Sequence, residues 1–464
     1  MENSRKLSSR DLLGEIADAL SPVLPSGGSI LLGLSGGVDS VVLLHLLQHL
    51  SPQYSWRLSA LHIHHGISPH ADSWAVLCAD LCSHYHIPLT IEHVNITPLR
   101  AMGIEAAARK LRHEALARQP VDVVALAHHR DDQVETLLLQ LLRGAGVRGG
   151  SAMPPVKQRT GSSLLVRPLL DVPRSALLSY AQQHGLQWVE DESNADDTYP
   201  RNFLRHRILP LLEQRFPAYR DTLARSAQHF AEASEMLDEL AQMDAQNPLL
   251  LGERVGERGK GHGKTLAVSR LQSLSPARAK NLLRYVLYQC STSMPQAVQL
   301  DTMLQQLCDA RPDAGVCISH GDWQVRRYQG EVYVLRALGE FNPNLILPWH
   351  GEAELDWPAL NTRLIFYQSL GLGISLAKLQ HAPVTLRLRS GGETLRPQPN
   401  AATRTLKNLL QEQHVPPWLR ERWPLLYCGN ELVSVLGVAI AEEYQAVANE
   451  MGVSMENMDS PYTA

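Results

Sequence analysis

Cysteine is scarce and scattered. Six residues, at 78, 82, 290, 308, 317 and 428, are spread over 464 positions, which excludes a disulfide framework and a paired zinc pattern. Cys78 and Cys82 stand four apart on an expected helix and read as small, half-buried apolar residues. No apolar run approaches the ~18 residues of a membrane span. The first twenty residues carry Glu2, Asp11, Glu15 and Asp18, which argues against a signal peptide. Positive charge is not in excess either: 43 Lys and Arg face 47 Asp and Glu, a formal net charge of −4. Any nucleic-acid surface must therefore be local. Internal repeats and low-complexity tracts are absent. What remains is a globular, membrane-free protein of a reducing cytoplasm. At 464 residues and 44% hydrophobic content it has room for two or three domains with real cores.

The most informative stretch is Ser35-Gly36-Gly37-Val38-Asp39-Ser40. It follows the apolar run Ile30–Leu34 and opens onto Val41–Leu47. A buried strand, a glycine turn and a helix start in that order suit a phosphate. The glycines let backbone N–H groups approach a ligand, and the helix end is positive. Ser35 and Ser40 add hydroxyls. Asp39 would repel phosphate, so its role is read as holding Mg²⁺.

From Ile30 strands and helices alternate. Strands are expected at Ile30–Leu34, Leu58–Ile63, Leu89–Val94, Val121–Ala127 and Leu164–Arg167. Helices are expected at Ser40–Leu50, Ala71–Tyr85, Ile104–Arg118, Asp132–Arg143 and from Pro173 to about His184. Repeated βα units of this size predict an α/β fold with a doubly wound parallel sheet, and a ligand beyond the carboxyl ends of its strands.

His62, His64 and His65 close the second strand, but no Asp-His pair follows, so a metal centre is disfavoured. Arg109 and Arg112 are three apart and share a helix face. In His128-His129-Arg130-Asp131-Asp132-Gln133-Val134-Glu135-Thr136 the carboxylates of Asp132 and Glu135 project from one face at a helix start. An acidic run, Glu190–Asp197, leads into Tyr199-Pro200-Arg201-Asn202-Phe203-Leu204-Arg205-His206-Arg207, where arginines dominate.

Residues 252–265 hold five glycines and end in Gly263-Lys264-Thr265, but lack the first glycine of a Walker A loop. They read as a flexible loop. Beyond them, helices at Ser275–Cys290 and Gln296–Ala310 precede a hairpin turning at Gln329-Gly330, a small α+β domain. A proline-rich passage (Pro343, Pro348, Pro358) marks the next boundary. The last segment is locally basic: seven Lys and Arg face three Glu between Arg387 and Arg422, which suits phosphate contact.

SGGVDS resembles the pyrophosphatase-type loop of enzymes that split ATP between its α and β phosphates and adenylate a substrate. The HHRDDQVET segment, the EAAAR-x-x-R helix, RNFLRHR after an acidic D-x-S-N segment, and LKNLLQE…VPPWLR together resemble the tRNA(Ile)-lysidine synthetase family, in its longer three-part form. The resemblance implies that the strand end at His62 and His64 lines the adenine and ribose pocket. It implies that Arg109 meets the triphosphate and Arg112 the RNA, and that Asp39 with Asp132 holds Mg²⁺. Arg201, Asn202 and Arg205 would reach ATP phosphates or the anticodon backbone, and Arg404, Lys407 and Arg420 the tRNA elsewhere. The expected domains are 1–217 (ATP-binding, catalytic), 218–342 (substrate-binding, with a helical linker) and 343–464 (C-terminal, tRNA-binding).

The implied reaction joins free L-lysine to C2 of the wobble cytidine of a CAU-anticodon tRNA(Ile). The cytidine is adenylated first, and Asp39, Asp132, Glu135 and Arg109 are the catalytic candidates. The ε-amine must be neutral to attack although its ordinary pKa is about 10.4, so Asp132 or Glu135 would take its proton. The resemblance also admits a homodimer. Two alternatives stay open: a tRNA thiolase with the same loop, and a non-catalytic tRNA-binding protein with a relic loop.

Overall fold

The computed structural model describes residues 9–158, 163–246, 265–290, 294–311, 314–360, 362–398 and 402–457. The glycine-rich loop expected at 252–265 lies outside them save for its last residue. The chain divides into two compact units, residues 1–236 and 237–464. The sequence reading instead placed boundaries at 217 and 342.

The first unit runs α1 (Ser9–Leu20), β1 (Ser29–Gly33), α2 (Val38–Tyr54), β2 (Arg57–His64), α3 (Ala71–His84), β3 (Leu89–His93), α4 (Ile104–Ala117), β4 (Val123–Ala125), α5 (Arg130–Leu142), α6 (Val147–Gly150), β5 (Val156–Gln158), β6 (Leu164–Val166) and α7 (Arg174–Gln183). It continues through α8 (Pro200–Phe203), a π turn (Leu204–Ile208), α9 (Leu209–Arg215) and α10 (Tyr219–Gln246). The sheet order is β3-β2-β1-β4-β6-β5. Five strands are parallel, with Ile30 of β1 opposite Leu58 on one side and Val123 on the other. The sheet departs from the parallel expectation at its edge, where β5 runs antiparallel to β6. A hairpin needs only a short connection, whereas a parallel pair needs a crossover.

Both faces of the sheet are covered at its centre, which is why β1 and β4 are apolar and buried. Leu12, Ile16 and Leu20 of α1, Val42, Leu43 and Leu46 of α2, and Leu177 and Tyr180 of α7 share one core with Ile30 and Leu32. On the opposite face Ala115 and Leu116 of α4 pack against Leu31, Leu61, Val124, Leu126 and Leu165. Strand order reverses between β1 and β4. Their carboxyl ends therefore border a crevice, the usual ligand position in such sheets.

The second unit begins in the last turns of α10. Buried Asp244 there accepts from Arg278 and Arg270, and Asn281 donates to the Leu237 carbonyl at 2.6 Å. β7 (Thr265–Ala267), α11 (Val268–Ser273), α12 (Pro276–Gln289), α13 (Ala297–Asp309), β8 (Cys317–His320), β9 (Trp323–Tyr328) and β10 (Glu331–Arg336) follow. They form an antiparallel sheet, β7-β10-β9-β8, with helices packed on it. Gln329 and Gly330 both take positive φ, as a two-residue hairpin turn requires. The remaining chain forms two larger antiparallel sheets around Trp349, Trp357, Phe366, Leu386, Leu426 and Val453, and a two-stranded one of Thr394–Leu395 with Arg404–Thr405.

Candidate active site

β1 delivers the chain into residues 34–37. Leu34 N–H donates to the Leu61 carbonyl at 2.9 Å, so pairing with β2 carries on past the strand. Gly36 then turns at φ +86°. A Cβ there would stand 3.1 Å from Val189 and 3.3 Å from the Cys78 sulfur in a backbone region that side chains avoid. Val189 N–H donates to the Gly36 carbonyl at 3.0 Å, tying the loop to the segment after α7. Ser40 Oγ donates to the Gly37 carbonyl at 2.9 Å and lies 3.1 Å from Ser35 Oγ. Val38 and Ser40 are buried in the first turn of α2, whose leading N–H groups have no intrahelical acceptor.

Asp39 projects from that turn towards β4. Its Oδ1 is buried without a partner, and its Oδ2 lies 3.6 Å from His129 Nε2. His129, 2% exposed, caps α5: its N–H donates to Asp132 Oδ2 at 3.0 Å, and its Nδ1 accepts from Asp132 N–H at 3.3 Å. The same Asp132 oxygen is 3.4 Å from His129 Nε2. Burial alone would lower the imidazole pKa. The hydrogen bond to Asp39 and the charges of Asp132, Asp39 and Asp131 outweigh it, and the pKa is raised. One histidine thus joins the carboxylates from the ends of β1 and β4. Sequence reasoning missed that role, although the doubled histidine before the acidic pair was its signal.

Glu135 is placed differently from the expectation. It is 1% exposed and held by two arginines: Arg201 Nε to Oε2 at 2.6 Å, and Arg205 Nε to Oε1 at 2.7 Å with Nη2 to Oε2 at 2.9 Å. Both its oxygens therefore face guanidiniums rather than the crevice. It acts instead as the anchor of Arg201 and Arg205. Arg201 also reaches Asp132 Oδ1 at 3.0 Å. Arg201 of α8 and Arg205 of the π turn stand four residues apart and so share the face that meets this carboxylate. Asn202 turns away from any phosphate: its amide donates to the carbonyls of Ser193 at 2.8 Å and Asp196 at 2.9 Å, shaping the acidic loop.

His62 is also displaced from the ligand-lining role. It is buried, and its Nδ1 sits 2.9 Å from the Leu34 carbonyl, bracing the loop's entry, with a lowered pKa caused first by burial. His64 Nε2 pairs with Asp72 at 2.9 Å on α3. Arg109 and Arg112 are exposed in the middle of α4. In the second unit Arg404 is paired with Glu412. Arg420 donates to the Val415 carbonyl at 2.8 Å and to Tyr328 Oη at 2.7 Å, so it joins the β9–β10 hairpin to the helix Pro417–Arg420. Of the three C-terminal cations expected to contact RNA, Lys407 is the exposed one with no ion pair among the described residues.

Among the described residues no group of three His, Cys, Asp or Glu side chains could cage a metal ion. Mg²⁺ carried by a nucleotide would keep its waters and phosphate oxygens and take one or two carboxylates. The orphaned Asp39 Oδ1 fits such a ligand. Asp132 fits less well, because its Oδ1 accepts from Arg201 and its Oδ2 from the His129 N–H. Among the same residues no helix is long and apolar enough to cross a membrane.

A glycine loop at the switch point of a mainly parallel sheet, facing an acidic helix start, defines an ATP-using enzyme of the PP-loop class. The PP-loop domain model matches residues 11–212, the TilS substrate binding domain 266–333 and the TilS substrate C-terminal domain 384–457. The chain is 42% identical to the tRNA(Ile)-lysidine synthase of Nitrosomonas europaea, over 98% of this chain and 97% of that one. It is 38% identical to the corresponding synthase of Coxiella burnetii, over 93% and 94%. Among solved structures, the U34-tRNA thiolase NcsA of Methanococcus maripaludis aligns with 19% identity and a TM-score of 0.42, over 48% of this chain and 79% of that one. The chain belongs to the tRNA(Ile)-lysidine synthase family and is an ATP-dependent ligase that acts on tRNA.

Proposed function

We propose that the enzyme joins L-lysine to C2 of the wobble cytidine of CAU-anticodon tRNA(Ile) in two steps at the β1–β4 crevice. The observation that carries this reading is the convergence of Asp39 and Asp132 on His129, beside the glycine loop. The loop N–H groups and α2 hold the triphosphate. Mg²⁺ on Asp39 would neutralise phosphate charge and ease pyrophosphate departure. The cytidine, splayed from its stack, attacks the α-phosphate through its C2 oxygen. The lysine ε-amine then attacks C2 and AMP leaves. Asp132, rather than Glu135, takes the amine proton, and His129 shares that charge.

The enzyme works on tRNA in the cytoplasm, as monomer or homodimer. Three segments, 1–217, 218–342 and 343–464, divide catalysis from two RNA-binding parts. A thiolase reading is weakened by its cysteines. Cys78 and Cys82 are buried, and burial pushes their thiols up to about 12 and about 11, far from a reactive thiolate.

The test is incubation with ATP, Mg²⁺, labelled lysine and a CAU tRNA(Ile) transcript. Lysine should enter the tRNA with one AMP formed per lysine. ATP use without lysine incorporation would refute the reading.

A further inference from the structure

A second polar cluster lies at the carboxyl edge of the sheet, on the α4 face, apart from the α2 face that carries Asp39. It centres on Arg167, the residue after β6. Arg167 is 8% exposed, and its Nη1 donates to the Pro154 carbonyl at 2.6 Å. Its Nε is buried with no partner. His128, whose neighbour His129 turns to Asp39, and His65 after β2 each bury an unpartnered Nδ1. α4 returns from β3 to β4, so it runs against the strands and its first turns lie at their carboxyl ends. Ala115 and Leu116 anchor it to Leu126 and Leu165. That places Arg112 and Arg109, one and two turns earlier, towards His128 and Arg167.

The mutual influence of these groups agrees. Arg167 is lowered to about 10 by burial and Arg109. His128 is lowered to about 2 by burial, then by Arg167, Arg112, Arg201 and Arg109. His65 is lowered to about 4 by burial, then mainly by Arg112. The imidazoles stay neutral, and the arginines carry the charge. Glu135 is claimed by Arg201 and Arg205, and among the described residues no carboxylate is paired with Arg167. A buried, uncompensated guanidinium with an open donor calls for an anion.

We infer that Arg167, with Arg112 and Arg109 at its rim, forms a subsite for an RNA phosphodiester next to the splayed cytidine. RNA is favoured over pyrophosphate because the cluster sits on the sheet face opposite α2, whose N-terminus takes the triphosphate. The subsite rests on the proposed tRNA reaction; it adds Arg167 to the RNA contact expected of Arg112 and turns Arg109 from the triphosphate to the RNA. It explains why the buried arginine tolerates its lack of a carboxylate: the partner arrives with the substrate.

The test is the salt dependence of CAU tRNA(Ile) binding by the full chain. Losing one phosphate contact on single-stranded RNA lowers the slope of log K against log salt by about 0.7. Arg167→Gln should lower it by that amount and weaken tRNA binding about tenfold. KM for ATP and inhibition by pyrophosphate should stay unchanged. Arg167→Lys should recover most of the slope. Arg112→Gln, at an exposed position that leaves the fold intact, should reproduce the slope loss. Weaker binding with an unchanged slope in both Gln variants would overturn the subsite, as would weakened pyrophosphate inhibition with an unchanged slope. A wild-type chain that never incorporates lysine would remove the underlying reaction as well, and is seen before any variant is made.

Discussion

At the residue scale, the two carboxylates near the helix start of α5 have separate fates although their spacing is the same as in many paired acids. Asp132 is partly exposed and shares His129 with Asp39. Glu135 is sealed under Arg201 and Arg205. Glu135→Gln leaves Arg201 and Arg205 with only Asp132 as counter-charge, and should cost about 3 kcal/mol of stability, read as a lower denaturation midpoint. Asp132→Asn should keep a near-normal midpoint and lose lysine transfer by at least about a hundredfold. If Asp132→Asn transfers lysine at the wild-type rate, the proton-acceptor role is wrong. Asp39→Asn should abolish AMP formation, and full activity in that variant would refute the metal role.

At the element scale, the loop 34–37 is held from three sides: His62 at its entry, Val189 at Gly36, and Ser40 at Gly37. Gly36→Ala forces a side chain into positive φ against Val189, at a cost of about 1–3 kcal/mol, and should reduce AMP formation more than tRNA binding. α2 is also joined to α7 by a buried pair, His45 Nδ1 to Tyr180 Oη at 2.8 Å, with His49 and His184 close by. Burial first, and then those two histidines, push His45 down to about 4 from 6.5. The unfolded chain therefore takes up this proton before the folded one does. Its contribution is complete above pH 6.5 and is lost as pH falls towards 4, by about 3 kcal/mol in all. Urea midpoints measured across that window should fall with pH, and His45→Asn should flatten the decline. An equally steep decline in the variant would show that other groups cause it.

At the scale of the whole molecule, each compact unit has its own way of joining parts. In the second, Trp418 packs edge-on against Tyr328 and Tyr333, with Arg326 stacked on it at 5.0 Å, and Arg420 completes the joint. Trp418→Ala should therefore lower the melting temperature of the chain and raise protease cleavage near residues 337–345, while ATP binding in the first unit is unaffected. Unchanged cleavage would mean that the joint does not hold these two parts together.

Much of this was legible in the linear chain. Period and length located the strands and most helices, because burial on both sheet faces leaves an uninterrupted apolar signature. The glycine loop and the paired carboxylates stood out because their chemistry depends on neighbours a few residues away. By itself, then, the sequence determined the α/β class, ATP use and the family. Tertiary structure alone decided which polar groups are open to a substrate. Glu135, Asn202, His62 and Arg420 looked like ligand contacts until folding brought them partners up to 92 residues distant. His129 and Arg167 gained significance for the same reason. A charged side chain's role depends on what else is buried beside it, and that is fixed only when distant segments meet.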